Sequence, residues 1–208
     1  MYRDIPLAEH TRKAYILLYR NMLSPYVSVT VPVDVTAPYR WCRETGRSFY
    51  LAMIHAAALA ADGVPAFRQR LCGDFVREYD ACPTSHVELG EKGDFGYCTL
   101  RHHLPEEEYF DRAENARRQA RENISITEDS DADSMYFVTC LPWLSYTQLT
   151  LPFDGKSNPR LSWGKCAEDA SGRVTLPFSV MVHHGLADGV HIASFYQRLE
   201  EETARFSG

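Results

Sequence analysis

Apolar and polar positions along the chain follow two different periods, which predict interleaved strands and helices. Residues 26–36 read YVSVTVPVDVT, and every odd-numbered position from 27 to 35 is valine. Alternation of β-branched and polar residues is typical of a strand with one buried face. Pro32 lacks a backbone N–H, so we expect this strand to lie at a sheet edge or to carry a bulge.

Four segments indicate helices. The first covers about residues 8–22, and the second, 48–63, has an apolar stripe that ends before Gly63. The third, 105–124, begins with acidic residues and ends with arginines, as the helix dipole favours, and its charges are expected to form a solvated face. The closing helix follows Gly189. Its apolar positions recur at helical spacing and are Ile192, Phe195, Tyr196 and Leu199.

Shorter apolar segments predict the remaining strands. They lie at about 74–79, 84–89 and 95–101, and within MYFVTCLPWLSY, RLSWGKC and VTLPFSVMVHH. The elements follow no regular βαβ rhythm, and no Gly-rich phosphate loop occurs. We therefore predict an α+β fold, a two-layer sandwich of a mixed β-sheet with helices packed on one side, in a single domain over residues 1–208.

Composition narrows the class of protein. The chain has 208 residues, of which 45% are hydrophobic, and a formal net charge of -6, which argues against nucleic acid as a partner. No apolar run approaches a membrane span, and the amino terminus lacks the apolar core of a signal peptide, so we expect a cytoplasmic protein. The six cysteines form no CxxC pair, which favours buried free thiols over a metal site.

The segment HHGLADGVH, residues 183–191, gathers three histidines and one aspartate. A metal site is disfavoured, because strand alternation sends His183 and His184 to opposite faces and glycines interrupt the helix that would align His184 with Asp188. His191 falls in the closing helix, where packing or a subunit contact is expected. Residue types alone do not distinguish a structural polar turn from a turn that carries a catalytic base. His55, on an apolar helix, is interpreted as a core histidine.

Three segments resemble one known family. HHGLADG matches the HHxxxDG signature of chloramphenicol acetyltransferases, and related forms occur in dihydrolipoyl acyltransferases and peptide-synthetase condensation domains. FVTCLPWLSYTQL resembles the family's segment with Pro-Trp followed by an aromatic residue, and TRKAYILLY with the valine strand resembles its opening helix and first strand. The similarity extends over nearly the whole chain and is weaker around 103–133 and 152–160.

The resemblance implies an acetyl-CoA-dependent O-acetyltransferase that acts on chloramphenicol. His184 would be the general base, with its other ring nitrogen held by a backbone carbonyl. Thr139 stands where the family has a serine whose hydroxyl supports the oxyanion, and Ser162 matches a threonine near the reaction centre. Asp188 would be structural and would pair with Arg12.

The acceptor pocket is the least similar part. The positions that the resemblance assigns to it are Leu17, Leu18, Met22, Ser24 and Tyr26. Leucines replace expected aromatic residues there, so a different acceptor, or ordinary core of an amphipathic helix, remains an alternative. Trp143 and Trp163 are interpreted as core, with Trp143 helping to fix Thr139.

The same resemblance implies acetyl-CoA as co-substrate, a small-molecule alcohol as acceptor, and no metal. It also implies a homotrimer with active sites at the subunit interfaces, so that His184 would face a pocket built largely by a neighbour. The alternatives are a homologue that acylates another alcohol, thiol or amine, and a catalytically silent drug-binding protein. Retention of His184 and of a hydroxyl at Thr139 argues against a silent protein, since binding alone requires no base.

Overall fold

Two β-sheets form the frame of the molecule in a computed structural model that describes residues 1–125, 127, 131–152 and 154–206. The strands in these residues are β1 (Tyr2–Pro6), β2 (Tyr26–Asp34), β3 (Gln69–Cys72), β4 (Phe75–Tyr79), β5 (Thr84–Leu89), β6 (Phe95–Leu100), β7 (Tyr136–Cys140), β8 (Arg160–Trp163), β9 (Ala167–Glu168) and β10 (Val174–His183). The larger sheet has seven strands in the order β2–β10–β8–β7–β5–β6, with β9 paired to β10. β7 runs parallel to β5 and β8, whereas the other pairs are antiparallel.

The smaller sheet is an antiparallel arrangement of β1, β4 and β3. The strand predicted at 74–79 belongs to this sheet rather than to the main one. Neither β1 nor β3 was predicted, because strands of 5 and 4 residues are too short to display a reliable period.

The described residues contain five α-helices. They are α1 (Lys13–Tyr19), α2 (Thr36–Thr45), α3 (Phe49–Asp62), α4 (Glu106–Glu122) and α5 (Gly189–Ala204). Side chains of α2, α3, α4 and α5 share one hydrophobic core with a single face of the main sheet. This arrangement confirms the predicted α+β fold with a mixed sheet and helices on one side. None of these helices is long and apolar enough to cross a bilayer within the described part of the chain.

Three segment predictions need correction. The helix expected over 8–22 is shorter, because a 3₁₀ turn at Leu7–Glu9 precedes it and α1 ends at Tyr19. The strand expected over 26–36 ends at Asp34, whose carboxylate accepts hydrogen bonds from the backbone N–H (2.9 Å) and hydroxyl (2.6 Å) of Thr36 and so starts α2. That helix was not predicted at all, although Gly46, with φ of 71°, provides a typical left-handed end.

Alternation along β10 separates a core face from an open face. Phe178 and Val180 are completely buried against the helices, and Phe178 stacks on Trp163 of β8 with ring centroids 5.7 Å apart. Ser179 and Met181 point to the opposite face, which no helix of the main core covers. β2 is an edge strand, as Pro32 predicted. We call this second face the open face because no α-helix of the core packs on it, although Ser179 and Met181 are themselves buried.

Candidate active site

His184 lies directly after β10, at the start of a tight turn that leads into α5. Its backbone N–H donates to the carbonyl of Pro25 (2.7 Å), which ties the turn to the segment before β2. The N–H groups of Leu186 (2.9 Å) and Ala187 (3.1 Å) both donate to the carbonyl of His183. The position of the His184 side chain is therefore determined by backbone contacts on both sides.

The imidazole of His184 has a defined tautomer. Its Nδ1 lies 3.1 Å from the carbonyl oxygen of Ala187. A carbonyl can only accept, so Nδ1 carries the proton, and Nε2 of the neutral ring has a free lone pair. The ring is half-buried and packs against Tyr19 with centroids 4.4 Å apart. Nε2 is therefore able to act as a base, and Tyr19 is a contact that the sequence analysis did not single out.

Arg12 holds the turn that carries His184. Its Nε donates to the carbonyl of Gly185 (3.0 Å), one terminal nitrogen donates to the carbonyl of His184 (3.3 Å), and the other pairs with Asp188 at 2.8 Å. Burial alone would raise the pKa of Asp188, but hydrogen bonds from Arg12 and His191 outweigh it and lower the pKa to about 2. Asp188 is thus an anion that stabilises the turn, because its carboxylate oxygens accept hydrogen bonds from Arg12 and from residues of α5.

The other two histidines of HHGLADGVH have local roles. His191 donates from Nδ1 to Asp188 (2.8 Å), whose carboxylate also accepts from the N–H of Val190 (3.2 Å) and caps α5. His183 accepts at Nδ1 from the N–H of Gly185 (3.1 Å), and burial lowers its pKa to about 4, so it is neutral at pH 7. The cluster therefore divides into one histidine with a free nitrogen and two that support the turn.

A row of hydroxyl groups crosses the open face of the main sheet. Thr139 of β7 is in register with Ser162 of β8. Ser162 is in turn paired with Ser179 of β10, and Ser179 with Thr30 of β2. Thr30 and Ser179 form a hydrogen bond of 2.7 Å. The Ser162 hydroxyl is buried and has no partner among the described residues. Ser162 and Thr139 are thus neighbours, as two residues of one site would have to be.

His184 and Thr139 do not meet within one chain. The row that contains Thr139 crosses β10 at Ser179, four residues before His183, and β10 and β7 are separated by β8. His184 is five residues beyond Ser179 and two strand spacings from β7, so at about 3.3 Å per residue and about 4.8 Å per strand the two backbones are roughly 19 Å apart. The side chains of His184 and Thr139 are therefore not in contact within one chain.

Two cavities adjoin Thr139. One has a volume of about 690 Å³ and a mainly apolar lining that includes Tyr50, Trp143 and Trp163. The other, of about 250 Å³, also includes Phe137 of the open face. A further cleft of about 890 Å³ lies on the surface of α2 and α5 and includes none of the candidate residues. Thr139 thus borders two separate spaces.

Trp143 and α4 differ from their predictions. Trp163 is buried as expected, but 69% of the Trp143 surface is exposed, so the interpretation of Trp143 as core is wrong within one chain. The charges of α4 do not all form a solvated face. Arg117 is largely buried, lines the 690 Å³ cavity and donates from Nε to Glu88 at 2.6 Å.

The predicted acceptor residues lie in α1, in the segment that follows it and at the start of β2, and all but Tyr26 are exposed. Of the α1 side chains only Ile16 is buried, whereas Leu17 and Leu18 are 38% and 57% exposed, so the alternative that these leucines are ordinary core does not hold within one chain. Met22 and Ser24 are also exposed. The Tyr26 hydroxyl donates to the carbonyl of Lys156, and its ring lies under Arg160 on the open face. An apolar surface therefore lies beside the candidate base.

Comparison with known proteins identifies the family of the chain. The family described as "Chloramphenicol acetyltransferase" matches residues 1–200. The chain belongs to the chloramphenicol acetyltransferase family. A chloramphenicol acetyltransferase 2 of Escherichia coli is 28% identical over 214 residues, which cover 96% of this chain and 95% of that protein. This result confirms the family predicted from HHGLADG and its neighbouring segments.

Solved structures support the chloramphenicol acetyltransferase fold. A structure described as chloramphenicol acetyltransferase superposes with a TM-score of 0.81 at 25% identity and covers 97% of this chain and 99% of its own. A probable dihydrolipoamide acetyltransferase from Listeria monocytogenes has a TM-score of 0.71 at 15% identity, covering 95% of this chain and 93% of its own, and is similar in fold alone. The fold is thus one that chloramphenicol acetyltransferases share with other acyltransferases.

Proposed function

We propose that this chain transfers the acetyl group of acetyl-CoA to a hydroxyl of chloramphenicol, with His184 as the general base. The observation that carries the proposal is the contact between Nδ1 of His184 and the carbonyl of Ala187, which makes Nε2 the basic nitrogen of the neutral ring. Relatives named for chloramphenicol acetylation match over nearly their whole length, which supports the acceptor. The free thiols of all six cysteines are consistent with a reducing cytoplasm.

The reaction follows from the availability of Nε2. An alcohol is a weak nucleophile at neutral pH, so Nε2 takes its proton while the oxygen attacks the thioester carbonyl. The resulting tetrahedral intermediate expels the coenzyme A thiolate, and the imidazolium returns the proton to that sulfur. General-base catalysis of this kind contributes about 10²–10⁴-fold to the rate. No residue forms a covalent intermediate, and the mechanism requires no metal.

Thr139 is proposed to stabilise the oxyanion of that intermediate. Its hydroxyl lies on the open face next to Ser162, whose own hydroxyl is buried without a partner among the described residues. Two adjacent hydroxyl donors can satisfy a developing negative charge, and one such donor is worth on the order of 3 kcal/mol. The 250 Å³ cavity beside Thr139 also includes Phe137 of the open face and would accommodate the acetyl group.

We further propose that the site forms between copies of the chain in a homotrimer. Because His184 and Thr139 are roughly 19 Å apart in one chain, each site would take its base from one copy and its oxyanion donor from the next. The exposed leucines of α1 beside His184 would then contact the acceptor and the adjoining copy. Acetyl-CoA would enter from the copy that supplies Thr139.

A coupled thiol assay tests the proposed reaction. Purified protein is mixed with acetyl-CoA and chloramphenicol, and released coenzyme A is measured with a thiol reagent. We expect turnover that falls by at least about 10²-fold in His184→Ala, with the variant still folded by circular dichroism. Thiol release only with other alcohols would favour a different acceptor. Drug binding without thiol release would support a silent binding protein and contradict the enzyme assignment.

A further inference from the structure

A second cluster of ionisable side chains lies at the carboxyl end of α3, apart from the residues proposed for acetyl transfer. It consists of Asp62, His102 and His103, and we call it the Asp62 cluster. The Nε2 atoms of His102 and His103 each lie 2.7 Å from the same oxygen of Asp62, Oδ2. One candidate ligand atom from each of the three residues lies within 4.8 Å of the other two.

The carboxylate of Asp62 is held in place through its other oxygen. Oδ1 accepts from the hydroxyl of Tyr136 (2.8 Å) and from the backbone N–H of Cys82 (3.1 Å). Both partners are themselves buried. These contacts orient the carboxylate so that Oδ2 faces the two imidazoles. Metal-binding carboxylates in proteins are commonly oriented in this way by hydrogen bonds to groups that do not themselves touch the metal.

The two imidazoles are brought together by the backbone that carries them. The carbonyl of His102 accepts from the N–H of Leu104 (2.9 Å) and from Nε2 of His55 (3.1 Å), so the segment turns sharply between β6 and α4. The rings of His102 and His103 consequently lie on the same side, with centroids 4.4 Å apart. The side chain of His102 is almost completely buried, whereas that of His103 is 56% exposed. The cluster is thus preorganised on one side and open to solvent on the other.

We propose that the Asp62 cluster binds a divalent transition-metal ion, with Zn²⁺ as the best-fitting ion, through Nε2 of His102, Nε2 of His103 and Oδ2 of Asp62. Zinc takes imidazole nitrogen and carboxylate oxygen at about 2.0–2.2 Å, which places its ligands roughly 3.3 Å apart. Each Nε2 atom now lies 2.7 Å from Oδ2 of Asp62, so each of these two distances needs to increase by about 0.6 Å when the ion binds. Solvent beside His103 supplies the fourth position.

The donor set selects against the commoner hard cations. Mg²⁺ and Ca²⁺ take oxygen ligands, whereas two of the three groups here are imidazoles. The ion replaces the two protons through which the histidines bond Asp62. By linking the end of α3 to the segment between β6 and α4, it stabilises the fold. The acetyl-transfer residues His184 and Thr139 are not part of the cluster, so the metal is structural and leaves the reaction without metal chemistry.

Titration of the full chain with zinc tests this site. After treatment with a chelator and its removal, ZnCl₂ is added in a calorimeter, and we expect one equivalent to bind per chain. His103→Ala, at an exposed position that tolerates truncation, should weaken binding by about 100-fold or more, because even outer-shell changes cost 10–100-fold. MgCl₂ should give no binding signal. Zinc should raise the Tm of the unaltered chain and leave that of His103→Ala unchanged.

Two controls locate the ion. His184→Ala should keep full zinc affinity, which separates the Asp62 cluster from the histidine of HHGLADG. Co²⁺ should give the visible absorption of a tetrahedral nitrogen and oxygen site, without the intense thiolate charge-transfer band that binding by cysteines would produce. Equal zinc binding by the unaltered chain and His103→Ala, or no binding to the unaltered chain, would overturn the proposal. Neither result bears on acetyl transfer.

Discussion

One carbonyl contact determines the chemistry available to His184. Since Ala187 accepts from Nδ1, the reactive nitrogen is Nε2, and the ring is supported on one face by Tyr19. Asp188 contributes through Arg12 and through the cap of α5 instead of touching the imidazole. At the scale of residues, the geometry separates the proposed base from the groups that hold it.

Thr139 offers a test of the oxyanion role in which only one hydroxyl changes. Thr139→Val removes the hydroxyl at nearly constant shape, and we expect kcat to fall by about 10²–10³-fold with KM little changed. Thr139→Ser restores the hydroxyl without the methyl group and should stay within about 10-fold of the unaltered enzyme. Steady-state kinetics of the two variants measure this difference. Similar activity of Thr139→Val and Thr139→Ser would exclude a role for the hydroxyl.

Asp188 is expected to affect stability more than chemistry. Asp188→Ala removes the helix cap and the partner of Arg12, and should lower the free energy of unfolding by about 1 kcal/mol, since solvent screens this partly exposed pair. Its pKa is lowered from 3.8 to about 2, so its stabilising contribution is complete above pH 4 and is lost as the pH falls through 2. Urea unfolding of both proteins at pH 7 and at pH 2.5 should show a smaller difference at the lower pH.

The sequence allowed some residue roles to be predicted and not others. Arg12 and Asp188 were paired through the resemblance, and the structure brings them to 2.8 Å. Trp143 was wrongly interpreted as core, because its exposure depends on where the loop after β7 lies and not on its residue type. The Asp62 cluster escaped notice since its carboxylate is 40 residues from His102 in the sequence.

At the scale of elements, long periodic segments were predicted reliably. Three helices, α3, α4 and α5, each span several turns, and β10 spans several alternations of side-chain direction. Their hydrophobic periods are therefore visible in the sequence. The helix α2 was not predicted, because the alternation of valines continues up to its first turn. Pro38 also suggests a break in a helix, although proline is tolerated near a helix start. The small sheet of β1, β3 and β4 depends on pairing between distant segments, which no local pattern indicates.

Glu88 joins β5 to α4 through a buried carboxylate that pairs with two arginines. Its carboxylate is 4% exposed and accepts from Arg117 (2.6 Å) and Arg121 (2.8 Å). Glu88→Gln should lower the free energy of unfolding by about 3 kcal/mol at pH 7, because two guanidinium groups lose their anion. Arg112→Gln, which breaks an exposed pair on the same helix, should cost less than 1 kcal/mol.

The contribution of Glu88 should depend on pH in a defined direction. Burial raises its pKa, but the approach of the His86 ring and the hydrogen bonds from Arg117 and Arg121 outweigh that effect and lower the pKa from 4.5 to about 2. The stabilisation is therefore present above pH 4.5 and disappears as the pH falls towards 2. Chemical denaturation at pH 7 and pH 3 should show the difference between Glu88→Gln and the unaltered chain shrinking at pH 3. A constant difference would mean that Glu88 acts through packing alone.

At the scale of the whole molecule, the residues proposed for catalysis form two separate groups in one chain. The free Nε2 and the exposed leucines of α1 lie at one end of β10, and the hydroxyls of Thr139 and Ser162 lie farther along the open face. Residue types and periods indicate neither this separation nor the face that a second copy would cover. The assembly of a complete site from two copies is therefore the central claim of the proposed mechanism.

Complementation between two inactive chains tests that claim most directly. His184→Ala and Thr139→Val chains are co-expressed in equal amounts, and coenzyme A release from acetyl-CoA and chloramphenicol is measured on the purified assembly. Each site that pairs His184 of one chain with Thr139 of the other is intact, so about one quarter of the sites should regain activity after random assembly. Activity no higher than that of the two variants assembled separately would contradict a site shared between copies.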